Sequence, residues 1–263
     1  MRVITLLTDF GTGDYFVGAM KGVMLSINES LAIIDISHDV PPQSISSGSF
    51  ILQNSYKHFP AGSIHVAIVD PGVGSSRRAL LVATEDHFFL APDNGLLSFI
   101  FLSDRNLRIF SLENERYFLP NRSNTFHGRD IFAPVAAHLS KGISPEEFGP
   151  QIDDPIISSF PSPKMLTSSL FSGEIIHIDR FGNLITNFHS SQLPKRFSLK
   201  IGNYLIQKHQ TYYAEALTDE IFSIIGSSGF LEISVLRGSA QKRLGASVGN
   251  EVILEVHDKD PAE

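Results

Sequence analysis

The first half of the chain alternates between short apolar runs and segments with helical periodicity. Buried β-strands are predicted from the apolar runs at 3–7, 32–36, 64–69, 79–83 and 88–90. Between them, apolar residues recur at helical spacing over 14–27, with Asp14 as a candidate N-cap, and over 45–59. A further helix is predicted over 130–139. This alternation with short connections is typical of a mostly parallel sheet with flanking helices.

The pattern changes after about residue 151. Residues 151–170 are rich in proline and serine and show little periodicity, which is typical of a linker. Beyond them, short strands are predicted at 173–178, 197–201, 204–207, 222–225, 230–235 and 252–256. We therefore predict an N-terminal α/β domain over 1–155, a linker over 156–170 and a smaller all-β domain over 171–263.

Composition excludes several classes of protein. The chain has 21 basic and 28 acidic residues and a net charge of −7, which disfavours a broad nucleic-acid interface. With no cysteine, thiol nucleophiles, disulfides and cysteine-ligated metal sites are excluded. Asp9 interrupts the first apolar run too early for a signal peptide, and no run approaches the ~18 apolar residues of a membrane span. We expect a soluble, cytoplasmic protein with neither membrane nor nucleic-acid partners.

Polar residues follow four of the predicted strands. Asp9 comes after the first strand, His38 after the second, Asp70 after the third, and Asn94 shortly after the run that ends at Leu90. The carboxyl ends of parallel strands share one edge of a sheet, where ligands bind in open α/β folds. Each residue alone is also compatible with a structural turn, but their shared edge favours a site.

Three further strings are candidates for chemistry. VDPGVGSSRR at 69–78 fits either a loop that approaches a ligand or a tight turn with solvated arginines. FHGRD at 126–130 precedes a predicted helix, and its His127 titrates near neutrality. DRFGN at 179–183 ends the first strand of the second domain and fits an ordinary turn as well as a site.

Two other functions remain open from these residues. Asp9, Asp70, Asn94 and His127 have the donor atoms of a metal-dependent phosphoesterase, although no motif with fixed ligand spacing is present. A non-catalytic sensor of a small ligand would need the same kind of binding residues. Loss of activity on removal of a metal ion would identify the first alternative, and tight binding without turnover would identify the second.

Seven strings taken in order resemble the S-adenosyl-L-methionine hydroxide adenosyltransferase family, relatives of fluorinases and chlorinases. They are TDFG at 8–11, DYFVGAMKG at 14–22, ISHDVPP at 36–42, IHVAIVDPGVGSSRR at 64–78, APDNG at 91–95, TFHGRD at 125–130 and HIDRFGNLITN at 177–187. The resemblance implies an α/β domain, a β-barrel-like domain, and a homotrimer with active sites between subunits. It implies hydrolysis of S-adenosyl-L-methionine to adenosine and methionine, with no cofactor and no metal. A non-catalytic sensor of adenosine or S-adenosyl-L-methionine is the alternative that this resemblance leaves open.

The resemblance also assigns roles to residues. It implies that Asp70, Arg77 and His127 handle the attacking water, although the adjacent Arg78 leaves the choice of arginine open. The implied substrate-binding residues are Asp9 at the ribose hydroxyls, Asp179 and Asn183 at the amino group and adenine, Ser227 and Ser228 at the carboxylate, and additionally Asn94 and Phe126. Asp70 and Gly128 follow the hydrolytic pattern, whereas fluorinase-like sequences have an aromatic residue and a serine there. Gln43 and Leu236 depart from the family pattern.

Overall fold

The apolar runs of the first half form one sheet. The computed structural model describes residues 2–104 and 106–257. The strands of this sheet are β1 (Val3–Thr8), β2 (Ala32–Ser37), β3 (Ile64–Ile68), β4 (Ala79–Ala83), β5 (Phe88–Pro92), β6 (Arg108–Ser111) and β7 (Gln151–Ile152). Their order across the sheet is β2-β1-β3-β5-β4-β6-β7. β2, β1, β3 and β5 run parallel, which confirms the predicted α/β class with its parallel-rich sheet.

The other half of this sheet is antiparallel. β4 pairs with β5 and with β6, and β6 pairs with β7, all antiparallel. The connection 84–87 between β4 and β5 is closed by Thr84 N donating to the carbonyl oxygen of His87 at 2.9 Å. A parallel pair needs a crossover of about a dozen residues, so a connection this short requires an antiparallel pair.

Helices cover both faces of the sheet. They are α1 (Phe16–Ile27), α2 (Ile45–Ser55), α3 (Ser98–Ser103) and α4 (Ala133–Ser140). Buried residues of α1 and α4 belong to one apolar cluster, and those of α2 and α3 to a second. The two clusters lie on opposite faces because successive side chains of a strand alternate between faces.

Two helix starts differ from the prediction. Asp14 is not the N-cap of α1, because the helix begins at Phe16 and Tyr15 occupies the N-cap position. The helix predicted over 130–139 begins earlier, as a π-helical turn over Gly128–Phe132 that continues into α4. A Cβ atom on Gly128 would lie 3.2 Å from Met20 Sδ and 3.3 Å from Ile68 Cδ1, so this turn packs closely against α1 and β3.

The second half of the chain forms one all-β sheet. Its strands are β8 (Lys164–Met165), β9 (Leu170–Ile178), β10 (Leu184–His189), β11 (Phe197–Ile201), β12 (Tyr204–Ile206), β13 (His209–Gln210), β14 (Ile221–Ile225), β15 (Phe230–Val235) and β16 (Glu251–Val256). A short helix, α5 (Ala240–Leu244), precedes β16. The sheet order is β12-β11-β16-β9-β10-β15-β14-β13, with β8 beside β9. The sheet curls into a half-barrel around its own apolar core, as the resemblance implied.

The chain divides into two compact units, Met1–Phe160 and Pro161–Glu263. β7 belongs to the sheet of the first unit and β8 to the sheet of the second. The boundaries 1–155, 156–170 and 171–263 stay a prediction. None of the helices in the described part of the chain is long and apolar enough to cross a membrane.

Candidate active site

The residues after the parallel strands meet at one edge of the first sheet. β2, β1, β3 and β5 are consecutive neighbours in the sheet, so their carboxyl ends lie side by side. Asp9, His38, Asp70 and Asn94 follow these four strands in the sequence. The topology therefore brings the predicted strand-end residues to the edge where open α/β sheets bind ligands.

Asp70, Arg77 and His127 form one hydrogen-bonded group. Arg77 Nε lies 3.0 Å from each carboxylate oxygen of Asp70, and Arg77 Nη2 also donates to Asp70 Oδ2. The same Nη2 lies 2.9 Å from His127 Nδ1. The side chains of Asp70 and Arg77 are 5% and 9% exposed, and His127 is 9% exposed. Asp70 and Arg77, from one loop, and His127, from a distant part of the chain, thus make a buried polar cluster.

The loop 70–76 folds back so that Arg77 reaches Asp70. Val73 N donates to Asp70 O, and Ser75 N donates to Gly72 O. Gly74 has φ +79°, and a Cβ atom there would lie 2.2 Å from the carbonyl oxygen of Asn124. Only glycine tolerates both the left-handed backbone and this close approach. Gly74 therefore lets the loop pass close to Asn124 and return Arg77 to Asp70.

The contact with Arg77 fixes the protonation of His127. A guanidinium has donors only, so His127 Nδ1 is the acceptor and the ring proton is on Nε2. Burial lowers the pKa of His127 below its ordinary value, and the nearby positive charges of Arg77 and Arg122 lower it further, while Asp70 opposes them. The neutral ring is therefore the favoured form in this cluster.

The geometry distinguishes the two adjacent arginines. Arg78 Nε donates to Asp93 Oδ2 at 2.9 Å, and Arg78 Nη1 donates to Asp154 Oδ1 at 2.7 Å. Arg78 Nη2 also donates to the carbonyl oxygen of Asp154. Arg78 thereby ties the end of β5 to the segment after β7. Arg77 is the arginine that contacts Asp70 and His127.

Asp9 lies half-buried at the same edge, beside an aromatic cluster. Its Oδ2 accepts a hydrogen bond from Gln43 N at 2.7 Å. Phe126 is buried, and its ring centroid lies 6.0 Å from that of Phe10 and 5.1 Å from that of Phe16. The guanidinium of Arg129 lies 5.0 Å from the Phe126 ring centroid. Phe126 is therefore held by packing and forms part of the apolar surface at this edge of the sheet.

Asn94 is engaged with the backbone. Its Nδ2 donates to the carbonyl oxygen of Val69 at 2.8 Å, and its Oδ1 accepts from Leu96 N at 3.2 Å. These bonds hold the ends of β3 and β5 together just before Asp70. The structure thus places Asn94 at the predicted edge in a positioning arrangement.

In the second unit, Asp179 and Asn183 share one turn between β9 and β10. Asp179 Oδ1 accepts from Phe181 N and Asn183 N, each at 2.9 Å, and Asp179 Oδ2 accepts from Asn183 Nδ2 at 2.8 Å. The turn holds the two side chains together and presents Phe181, which is 76% exposed. The sequence allowed an ordinary turn here, and the structure has one. Its hydrogen bonds hold the Asp179 and Asn183 side chains in a fixed arrangement.

Ser227 and Ser228 lie in the turn between β14 and β15. Gly229 N donates to Gly226 O at 3.0 Å and closes this turn. Within the described part of the chain, the buried hydroxyl oxygen of Ser228 has no hydrogen-bond partner. Ser227 is exposed. A polar turn with an unused hydroxyl is suited to bind a small polar ligand.

Two residues near this turn, Glu232 and Tyr213, lie outside the motifs that the sequence presents. Glu232 is 8% exposed on β15, and Tyr213 Oη donates to Glu232 Oε2 at 2.9 Å. Burial and the Glu232 carboxylate raise the pKa of Tyr213 to about 12, and burial raises the pKa of Glu232, with Asp179 adding to both shifts. In the strand sequence FLEISV, a glutamate stands between the apolar residues Leu231 and Ile233. This charged residue within a buried strand is the feature of the sequence that could have indicated the pair.

The donor groups of the alternative metal-dependent phosphoesterase site have other partners in the structure. Among residues 2–104 and 106–257, no group of three or more histidine, aspartate or glutamate side chains is arranged to hold a metal ion. The guanidinium of Arg77 lies where a cation would contact both Asp70 and His127. The positive charge next to the Asp70 carboxylate is therefore the guanidinium of Arg77.

Two family models match the chain in order. The model described as SAM hydroxide adenosyltransferase N-terminal domain matches residues 4–149, and the model of the C-terminal domain of the same family matches residues 173–253. The chain belongs to the SAM hydroxide adenosyltransferase family. The two matched segments lie in the two units of the fold.

Individual relatives match along nearly the whole chain. A protein of Thermus thermophilus named (R)-S-adenosyl-L-methionine hydrolase is 36% identical over 97% of this chain and 100% of its own. A protein of Methanocaldococcus jannaschii with the same name is 35% identical over 96% of this chain and 95% of its own. A fluorinase of an Actinoplanes species is 27% identical over 73% of this chain and 74% of its own. These two hydrolases therefore have a higher sequence identity to this chain, over a larger part of it, than that fluorinase has.

A solved structure shares the fold. The crystal structure of a conserved protein from Thermotoga maritima superimposes with a TM-score of 0.88 at 33% identity, covering 96% of this chain and 100% of that one. Its agreement with the described fold extends over both units.

Proposed function

We propose that the protein hydrolyses S-adenosyl-L-methionine to adenosine and L-methionine. The buried group of Asp70, Arg77 and His127 carries this proposal, because it combines a hydrogen-bond acceptor, a fixed positive charge and an imidazole around one point. The hydrolase names of relatives that match almost the full chain support it. The Asp70 carboxylate also favours water over halide, because it accepts hydrogen bonds and repels anions.

The reaction is a displacement at the ribose 5′-carbon. The oxygen of water forms a bond to C5′ while the C5′–S bond breaks and its electron pair stays on sulfur. The products are adenosine, neutral methionine thioether and one proton. The sulfonium is already a good leaving group, so water is the reactant that needs activation.

The geometry favours Asp70 as the proton acceptor. Nδ1 of His127 is occupied by Arg77, and Nε2 already carries the ring proton. Arg77 cannot act as a base, because a guanidinium keeps its proton in proteins. In this proposal Asp70 accepts the proton from water, Arg77 stabilises the developing negative charge, and His127 orients the water through Nε2–H.

The remaining residues bind the substrate or position the groups that do so in this proposal. Asp9 binds the ribose hydroxyls beside Phe126, and Asn94 acts by holding the strand ends. Asp179 and Asn183 bind the amino group and the adenine, while Ser227 and Ser228 bind the carboxylate. The unpartnered hydroxyl of Ser228 and the preorganised pair of Asp179 and Asn183 support these roles. The proposed reaction requires neither a cofactor nor a metal.

We also propose a homotrimer whose sites combine the first unit of one subunit with the second unit of the next. Exposed aromatic side chains beside the proposed residues of each unit support this assembly. Tyr15, near the Asp9 loop, is 66% exposed, and Phe181, beside Asp179, is 76% exposed. A neighbouring subunit would remove such apolar surface from water. Cytoplasmic location and the lack of a nucleic-acid partner stay predictions from the sequence.

Heavy-oxygen labelling tests the reaction. Turnover of S-adenosyl-L-methionine in ¹⁸O-water should place one heavy oxygen on the 5′-position of adenosine, as measured by mass spectrometry. Activity should survive a chelator, in contrast to a metal-dependent phosphoesterase. Cleavage without heavy oxygen in adenosine would refute direct attack by water, and tight binding without any cleavage would identify a sensor instead.

The names of the hydrolase relatives specify the R configuration at sulfur, and we extend this preference to the chain. In-line attack requires the C5′–S bond to point away from the bound water, so inversion at sulfur exchanges the positions of the methyl group and the methionine chain. The two epimers assayed separately should differ in kcat/KM by at least about tenfold in favour of the R epimer. Equal values would contradict the extension.

A further inference from the structure

A chain of polar contacts lies behind the Asp9 loop. Lys21 Nζ donates to Asp35 Oδ2 at 2.7 Å, and Asp35 Oδ1 lies 3.1 Å from His38 Nε2. Nδ1 of His38 lies 2.8 Å from Thr8 Oγ1, and Phe10 N donates to the same hydroxyl oxygen at 3.2 Å. Thr8 is fully buried and His38 is 5% exposed. The chain thus leads from the surface to the residues on both sides of Asp9.

The direction of these contacts is determined by the charged end. Asp35 Oδ1 lies 3.1 Å from His38 Nε2 without the alignment of a hydrogen bond, and its negative charge favours a proton on that nitrogen. In the neutral ring Nδ1 is then the acceptor, so Thr8 Oγ1 donates its proton to it. The lone pairs of the same oxygen remain free to accept from Phe10 N. The Thr8 hydroxyl therefore has one orientation, donating to His38 Nδ1 and accepting from Phe10 N.

Burial opposes ionisation of Asp35, but its contacts with Lys21 and His38 outweigh this effect and keep its pKa below the ordinary value. The carboxylate is therefore charged at neutral pH, and its charge favours the His38 tautomer that carries the proton on Nε2.

Backbone hydrogen bonds join the same two loops. Gly11 N donates to His38 O at 2.8 Å, and Val40 N donates to Thr8 O at 3.4 Å. Gln43 N donates to Asp9 Oδ2 at 2.7 Å, with Gln43 held at φ +64°. A non-glycine residue in the left-handed region is strained and persists only where its surroundings require it. The loops after β1 and β2 are therefore built around the carboxylate of Asp9.

We propose that His38 is a positioning residue that holds the Asp9 carboxylate, through the Thr8 hydroxyl, in the orientation that binds the ribose hydroxyls. The inference rests on the proposed function, in which Asp9 binds the ribose. His38 does not touch the substrate in this proposal. It acts by fixing the backbone between Thr8 and Phe10, and its loss weakens binding of the substrate more than the chemical step.

Isosteric variants of the threonine test this inference. Thr8→Val keeps the shape but removes the hydroxyl, and it should raise KM about tenfold while kcat stays within about twofold. Thr8→Ser keeps the hydroxyl and should restore most of the affinity. Thr8→Val with wild-type KM, or Thr8→Ser as impaired as Thr8→Val, would overturn the proposal.

The chain contains a matched control on the same strand. Thr5 Oγ1 lies 2.8 Å from Nδ1 of the buried His65, which is the same kind of pair three residues earlier on β1. Thr5→Val should lower the melting temperature about as much as Thr8→Val does, with KM unchanged. An equal rise in KM for both variants would show a general effect of destabilising β1 and would overturn a specific role for His38.

A double-mutant cycle tests whether the effect passes through Asp9. Asp9→Asn should raise KM by itself, and adding Thr8→Val to it should change KM little further, because the oriented group is already lost. If KM of the double variant rose by the product of the two single increases, Thr8 and Asp9 would act independently and the coupling would be refuted. The proposed function fails separately, if the wild-type protein releases neither adenosine nor methionine.

The ring tautomer can be measured without any substrate. A long-range ¹H–¹⁵N spectrum of the full chain at pH 8 should show His38 with a proton on Nε2 and a bare Nδ1. His38→Asn, whose side-chain oxygen can replace Nδ1 as acceptor, serves as the assignment control and should keep KM within about threefold. A proton on Nδ1 in the wild-type spectrum would overturn the inference whatever the activity is.

Discussion

At the residue scale, the proposed chemistry depends on one guanidinium with two neighbours. Arg77 contacts both Asp70 and His127, whereas Arg78, the next residue, binds Asp93 and Asp154. Adjacent residues on an extended segment point to opposite sides, so two arginines of equal chemistry have unrelated surroundings. Their separation provides a direct test of the site.

Arg77→Lys should lower kcat by at least about a hundredfold, because one ammonium cannot reproduce the fork that joins Asp70 to His127. Arg78→Lys should reduce the melting temperature and leave kcat near the wild-type value. Steady-state kinetics and thermal unfolding of both variants measure this contrast. A loss of kcat in Arg78→Lys and not in Arg77→Lys would reverse the assignment.

The pH dependence of activity belongs to the same scale. His127 must be neutral to accept from Arg77, and burial together with Arg77 holds its pKa below 6.5. Activity should therefore stay level through neutrality and fall only at more acid pH, as Nδ1 gains a proton. An NMR titration of the His127 ring together with a pH–rate profile measures both quantities.

Arg122 provides a handle on this pKa, because its charge contributes to lowering it. Arg122→Gln should move the acid limb of the profile and the His127 titration to higher pH. Arg116→Gln, at another exposed arginine of the same region, is the matched control and should leave both in place. An acid limb that does not move with Arg122→Gln would show that another group controls it.

At the scale of elements, the sequence pattern predicted most strands but not their pairing. β10 was missed because its buried positions include Thr186 and Asn187, which break the apolar pattern. Thr186 Oγ1 donates to Leu231 O at 2.7 Å, and Asn187 Oδ1 accepts from Glu174 N at 2.8 Å. Polar side chains are stable there only because neighbouring strands supply partners, which a local pattern does not contain.

The core of the first sheet contains a histidine with consequences for stability. His65 is fully buried on β3, stacked on Phe89 with a centroid distance of 5.1 Å, and bonded to Thr5 on β1. Burial, with a smaller contribution from His87, lowers the pKa of His65 from 6.5 to about 3. Strands β1, β3 and β5 are thus joined around an imidazole that must stay neutral.

Acid should therefore weaken the fold through His65. Above pH 6.5 the ring is neutral in both the folded and the unfolded state, and stability does not depend on it. Between pH 6.5 and about 3 the unfolded state binds a proton that the folded state excludes, so the unfolding free energy falls by up to about 1.4 kcal/mol per pH unit.

Urea titrations from pH 7 to pH 4 measure this loss. His65→Gln should lower stability at pH 7 but reduce the dependence on pH, whereas His58→Gln, at an exposed histidine, should leave that dependence unchanged. The same slope in His65→Gln as in the wild-type protein would assign the acid sensitivity to other groups.

At the scale of the whole molecule, the proposed site residues are divided between two units. Asp70, Arg77 and His127 belong to the first unit, and Asp179 and Asn183 to the second. Each set is preorganised by hydrogen bonds within its own unit. In our proposal complete sites form only in a homotrimer, and its mass should be about 87 kDa for chains of 29.0 kDa.

Mixing two inactive variants tests where a site is completed. Asp70→Asn damages the first unit and Asp179→Ala the second. If sites lie between subunits, mixed trimers refolded from equal amounts should recover about a quarter of wild-type activity, since one in four sites then combines two intact units. Each variant refolded alone is the control. Lack of recovery, with mixed trimers verified by native mass spectrometry, would place the whole site within one chain.

The sequence by itself determined the local elements and the order of the chemistry along the chain. Apolar periodicity indicated the parallel strands, and ordered motifs indicated the family and its residues. These features are local, because strand and turn preferences depend on neighbouring residues. The carboxyl-end residues Asp9, His38 and Asp70 were identified from this level alone.

Only the tertiary structure decided which groups are partners. Three examples are the contact of Arg77, and not Arg78, with His127, the tautomer that this contact sets, and the contact of Thr8 with His38. Each joins residues distant in sequence. Hydrogen bonds depend on distances of a few tenths of an ångström and on direction, which only the packed fold sets. Sequence therefore specified the chemical groups, and the fold specified their protonation and their contacts.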